Sequence, residues 1–213
     1  MSRKVNRNEL IEMIANDEDV QFVDTSGTTD MSCLFRNNMT FNQPIGNWDT
    51  SNVTNMSGMF SWTEVFNQPI GDWDVSNVID MSGMFFAAKA FDSDISAWNV
   101  SNVKDMKYMF YVIESFNCDL SRWNVSNVIS MNYMFYGAKA FNRDLSRWGM
   151  SNVQYINRVF TGSKMTYIYD LIMKFEHPEE ALKEILGDEI YGMMRDVPLE
   201  KIDTYLRIRK IHE

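Results

Sequence analysis

The stretch FNQPIGNWDTSNVTNMSGMF at residues 41–60 returns as FNQPIGDWDVSNVIDMSGMF at residues 66–85, and this near-identity at a spacing of 25 constrains the fold more than any other feature. Phe41, Phe66, Phe91, Phe116 and Phe141 open five units that align without insertion or deletion. The eighth position is always tryptophan (Trp48, Trp73, Trp98, Trp123, Trp148), the twelfth asparagine (Asn52, Asn77, Asn102, Asn127, Asn152) and the thirteenth valine. A degenerate unit precedes them: Val20, Val23 and Thr25 fall on the fifth, eighth and tenth positions, and DTSGTTDMSCLF (24–35) matches DTSNVTNMSGMF (49–60). Repeats of this length are stacked supersecondary units, each of which leaves an apolar flank that only its neighbour can cover.

Two periodicities succeed each other within a unit. Trp48-Asp49-Thr50 and its copies alternate apolar with polar, which predicts a short strand. From Val53 the apolar residues recur at Met56, Met59 and Phe60, spacings of three and four that predict a short helix, with Ser51 and Asn52 placed as N-caps. Strand, helix and a return loop through Phe-Asn make one coil of a right-handed α/β solenoid of leucine-rich-repeat type, with short parallel strands on one face and short helices on the other.

At these residues the chain resembles the BspA-like leucine-rich-repeat surface proteins and the related bacterial surface-lipoprotein repeats, over about residues 20–165. The resemblance implies a solenoid used for adhesion or protein interaction, commonly displayed on a cell surface, with no enzymatic activity attached to the repeat.

The ends break the period. Residues 1–19 are expected to form a helical cap, with NRNELIEMIA (6–15) presenting Leu10, Ile11 and Ile14 on one side. Residues 166–213 are expected to form a helical C-terminal cap or extension. There PEEALKEIL runs from Pro178 to a stop at Gly187, and a second segment, PLEKIDTYLRIRKIHE, starts at Pro198. This tail either covers the last coil or docks a partner or a second copy.

Composition narrows the function classes. A net charge of −9 argues against nucleic acid, because phosphate neutralisation needs clustered Lys and Arg. No run of about 18 apolar residues occurs, so membrane insertion is not expected. The first twenty residues lack an apolar signal core, and a cytoplasmic location is the expectation for the chain as written, although the family it resembles is commonly surface-displayed. Cys33 and Cys118 show no CxxC pairing and read as packed thiols.

Chemistry has no visible home. His177 and His212 lie in the tail without zinc-ligand spacing, and none of the GxSxG, GxxxxGK[ST] or HExxH motifs is present, so no enzyme, cofactor or metal is expected. The Asn column reads as structural, each side chain capping the helix or satisfying backbone groups where the strand turns, and the methionines at 56, 81, 106 and 131 as core filler. One carboxylate per coil is too few for calcium without loop carbonyls.

What varies is the outward side of the expected strands. Position seven runs Asn47, Asp72, Ala97, Arg122, Arg147; position nine runs Asp24, Asp49, Asp74, Asn99, Asn124, Gly149. Formal charge summed over the five units is −2, −2, −2, +1 and +3, so the array is acidic in front and basic behind. The stacked Asp24, Asp49 and Asp74 either face a basic partner or cation, or are turn residues that cap their own backbone. The candidate binding residues are therefore Asp24, Asn47, Asp49, Asp72, Asp74, Asn99, Arg122, Asn124 and Arg147, for an unidentified protein partner on a concave strand face. The rival reading is self-assembly through the C-terminal helices or the solenoid ends.

Overall fold

The computed structural model describes residues 3–164 and 177–187, together with Tyr191 and Ile202. Its elements are β1 (Arg3–Lys4), α1 (Arg7–Ala15), β2 (Val23–Asp24) and α2 (Pro178–Leu186). β1 pairs with β2 in parallel, Arg3 opposite Val23.

Between β2 and residue 164 the units lie directly against one another. Parallel bridges join Asp30 to Asn55, Asn55 to Asp80, Asp80 to Asp105, Asp105 to Ser130 and Ser130 to Tyr155, one residue per unit. Every second N–H that follows is donated to the next unit: Met56 to the Asp80 carbonyl, Gly58 to Ser82, Phe60 to Met84 and Trp62 to Phe86, at 2.8–2.9 Å. The alternate N–H groups fold back three residues, as Met59 to Met56 and Ser61 to Gly58.

That pattern replaces the expected helix. Among the described residues, 53–62 and their copies run as turns, not as α-helix, because the fourth-residue bonds a helix needs are spent on the neighbouring unit. Two left-handed positions per unit enforce the arrangement. One holds Cys33, Gly58, Gly83, Tyr108, Tyr133 and Arg158; the other holds Asn37, Trp62, Ala87, Val112, Gly137 and Gly162. Glycine carries no steric cost there, whereas each side chain at positive φ costs about 1–2 kcal/mol that packing must offset.

The expected strand at 48–50 likewise shows no ladder, although its burial alternates as a strand's would: Trp48 and Thr50 inside, Asn47 and Asp49 outside. Side chains join the units at this edge. The Trp48, Trp73, Trp98, Trp123 and Trp148 indoles each donate to a carbonyl of the preceding unit, at Val20, Ile45, Ile70, Ile95 and Leu120, over 2.9–3.2 Å. The Thr25 and Thr50 hydroxyls donate forward to the Asp49 and Asp74 carbonyls. Gly46 shows how close the chains run, since a Cβ there would lie 2.4 Å from the Pro69 carbonyl oxygen.

The core is a set of columns. Phe60 stacks on Phe66, the first residue of the next unit, at 4.1 Å, and on its own counterparts Phe35 and Phe85 at 5.3 and 5.6 Å. Trp48 stacks on Trp73, and Trp98 on Trp123, both at 6.4 Å. Met56, Met81, Met106 and Met131 fill the space beside them, fully buried.

At the front, α1 is held by a capping box. The Asn6 side chain accepts from the Asn8 and Glu9 N–H groups, and Glu9 accepts from the Asn6 N–H. Leu10 and Met13 are buried and Ile14 partly so, but Ile11 faces solvent, contrary to the face expected from the sequence. At the rear, α2 buries Ala181, Leu182, Ile185 and Leu186. The Arg158 and Phe160 N–H groups donate to the Glu184 and Ile185 carbonyls, so the helix accepts the bonds that a sixth unit would have taken. The segment expected after Pro198 lies outside the described residues, Ile202 excepted.

Candidate functional site

Positions seven and nine project from the Trp-Thr edge, and all the candidate residues there are exposed except Asp24, which is half-buried. Their backbone is fixed by Asx-turns. The Ser26, Ser51 and Ser76 N–H groups donate to the Asp24, Asp49 and Asp74 carboxylates at 2.9, 3.0 and 2.9 Å, and the Ser101 and Ser126 N–H groups donate to Asn99 and Asn124 at 3.2 Å. The Ser26 and Ser76 hydroxyls and backbone N–H groups hold Asp24 and Asp74 below the usual carboxylate range. One carboxylate oxygen caps the turn and the charge stays at the surface, so the turn role leaves these groups able to meet a partner.

The Asn column lies beside them and is structural. The Asn52, Asn77, Asn102, Asn127 and Asn152 side-chain amides donate to the Ser26, Ser51, Ser76, Ser101 and Ser126 carbonyls of the preceding unit, at 2.6–2.9 Å. The face is thus pinned on one side by Asn and beneath by Trp.

Two grooves divide the candidate residues by charge. At the front, Asp24, Asn47 and Asp49 line one of about 510 Å³ with Arg3 and Phe22. At the rear, Arg122 and Arg147 line one of about 600 Å³ with Arg143. Asp119 and Asp144 share this rear groove, yet each carboxylate accepts the N–H two residues on, from Ser121 and Ser146, at 2.9 and 2.8 Å. Those bonds, with Arg143 and Arg122 nearby, keep Asp119 below the usual range. Asp72, Asp74, Asn99 and Asn124 lie on the stretch between the grooves.

A second surface escaped the sequence reading. On the turn edge Phe86, Tyr111 and Tyr136 stack at 4.6 and 5.1 Å, and Tyr108 stacks on Tyr133 at 5.2 Å. In front of them Ser57, Gly58, Ser82 and Gly83 form the floor of a groove of about 430 Å³. The signal was there, small residues giving way to tyrosine along two columns, but it interrupts the repeat and so was not read as part of it.

Among the described residues no group of three or more His, Cys, Asp or Glu is placed to hold a metal ion, and no helix is long and apolar enough to cross a membrane. Burial pushes the Cys118 thiol up to about 11. Cys33 is free and exposed.

The architecture and its face define a class before any family is named: an array of 25-residue units whose invariant interior presents a variable, charged exterior. The chain belongs to the family described as "Mycoplasma protein of unknown function, DUF285", whose model matches it twice, over residues 4–117 and 72–169. It has no significant match among curated proteins or solved structures.

Proposed function

We propose that this chain is a non-enzymatic protein-binding module that uses the position-seven and position-nine face, on a right-handed solenoid of leucine-rich-repeat type with turns in place of helices. Residue identity supports the reading most strongly. The buried columns barely change from unit to unit, while the two exposed positions between them run from Asp through Ala and Asn to Arg. Selection on the frame alone would leave no reason for the charge to sort by position along the array. The BspA-like resemblance, with its adhesive solenoids, points the same way.

Self-assembly through the tail is the second reading. It is weakened by α2, whose four buried apolar side chains are already occupied by the core. The test is charge reversal at two exposed position-seven residues, Asp72→Lys and Arg122→Glu. Binding of a specific protein partner should fall at least about tenfold in each variant while the melting temperature changes little. Unchanged capture of that partner by both variants would refute the role assigned to this face.

A further inference from the structure

We infer that the charged face is an interface between two copies of this chain, paired antiparallel about a twofold axis at the third unit. The inference rests on the binding reading above and names its partner. Its starting point is the order of charge: Asn47, Asp49, Asp72 and Asp74 in the first two units, Ala97 and Asn99 in the third, Arg122, Asn124, Arg147 and Gly149 in the last two. All ten are exposed.

Among the described residues none of these charges is held in an ion pair: the pairs join Arg3 to Glu9, Arg7 to Asp30, Lys89 to Glu64, Lys107 to Asp105 and Lys139 to Glu114. Asp119 and Asp144 share the rear groove with Arg122 and Arg147 but form no ion pair with them; each gives one carboxylate oxygen to its own turn, at the Ser121 and Ser146 N–H groups. Arg122 and Arg147 are exposed in that groove.

A twofold axis lying in the plane of contact offers two settings. Parallel pairing sets each unit on its own copy with the two columns exchanged, so that Asp72 meets Asp74 and the arginine-bearing units lie on each other, which like-charge repulsion opposes. Antiparallel pairing sets the second unit on the fourth and the first on the fifth. Asp72 then faces Arg122, Asn47 and Asp49 meet Arg147 and Gly149, and Asp74 lies over Asn124. The small Ala97 sits at the axis. Such an interface is self-complementary and closes at two copies.

The sign of the face reverses within about two coils, roughly 10 Å, which is too short for a long polyanion to follow. A partner must carry the opposite order of charge at the same coil spacing. A second copy does so by symmetry.

An interface held mainly by charge is weak and salt-sensitive. The test is sedimentation equilibrium of the full chain across ionic strength, with variants confined to position seven so that the Asx-turns stay intact. Asn47→Arg with Asp72→Arg leaves position seven with basic charge only; Arg122→Glu with Arg147→Glu leaves it with acidic charge only. The wild type should dimerise at on the order of 20 mM salt and dissociate at high salt. Each double variant should be monomeric alone at wild-type melting temperature, and an equimolar mixture of the two should regain the dimer.

A wild type that stays monomeric at low salt, or a dimer that neither double variant disturbs, would overturn the inference. A peptide of about three lysines, a short neutral spacer and about three glutamates separates this failure from that of the binding reading. If a monomeric wild type binds the peptide and the double variants do not, self-pairing is wrong but the binding face stands. If the peptide does not bind either, both fall.

Discussion

The two edges of each unit are joined to their neighbours by different means. At residues 55–62 and their copies the backbone does the joining, every second N–H going to the next unit. At residues 47–52 the backbone makes no such ladder, and indole, hydroxyl and carboxamide groups bridge the gap. Backbone bonds are indifferent to side-chain identity, so the turn edge accepts Cys, Gly, Tyr or Arg at one position. Side-chain bonds are not, so the other edge keeps Trp and Asn in all five units and confines its exposed variation to positions seven and nine, while the buried position ten changes from Thr50 to Val75, Val100, Val125 and Met150. Variability therefore marks a surface open to selection only at the second edge, where the frame around it is fixed residue by residue.

Substitutions can break this contrast, beginning with the core that both edges share. Phe85→Ala removes a fully buried ring stacked at 3.9 Å on Phe91 and at 5.6 and 5.8 Å on Phe60 and Phe110, and should cost about 3–5 kcal/mol in chemical denaturation. At the side-chain edge, Trp98→Phe shrinks a buried ring and removes the 3.0 Å indole donor to the Ile70 carbonyl, which keeps only the 3.2 Å bond from the Trp73 N–H. It should cost about 2–3 kcal/mol. Asn102→Ala at the same edge loses an exposed bond to the Ser76 carbonyl and should cost about 1 kcal/mol.

Tyr133→Gly at the turn edge should be close to neutral. Relief of its left-handed backbone, about 1 kcal/mol, offsets the lost stacking on Tyr108 of similar size. A large loss there would contradict the division of labour between the edges.

Acidification probes the Asx-turns. Their hydrogen bonds hold Asp24, Asp74, Asp94 and Asp119 below the ordinary carboxylate range. Their contribution to stability is therefore present above the unfolded-state pKa of about 3.9 and is lost as pH falls through the folded values. Melting temperature should be flat from neutrality to about pH 5 and decline below about pH 4. Asp74→Asn, which keeps the turn acceptor and removes the charge, should soften that decline.

The interior was legible from the sequence because period and burial express the same constraint: residues that touch their own copies must match them, as the Trp and Phe columns do. The structural role of the Asn column was legible for the same reason, although the bonded carbonyl belongs to the preceding unit and not to the residue's own turn. The three-and-four spacing from Val53 to Phe60 misled because consecutive turns place side chains inward at nearly the helical interval. Only the left-handed residues at Gly58 and Trp62 distinguish the two, and neither Trp62 nor Val112 advertises a positive φ. Ile11 misled because its apolar character outweighed the one-residue rotation that buries Met13. On the candidate face the residues were readable as variable positions. Their acidic-to-basic order was readable as well; the grooves they share with Arg3 at the front and Arg143 at the rear were not, because those two residues lie off the two columns.

The central claim is that the units lie flush, each tryptophan of the eighth position reaching a carbonyl one unit back, and indole N–H exchange measured by NMR tests it most directly. The chain has six tryptophans. Five of the indole protons, those of Trp48, Trp73, Trp98, Trp123 and Trp148, should exchange slowly and together with global unfolding. The sixth, on the exposed Trp62, should exchange within the first measurement. Rapid exchange at two or more of the five would mean that the units are not stacked as described.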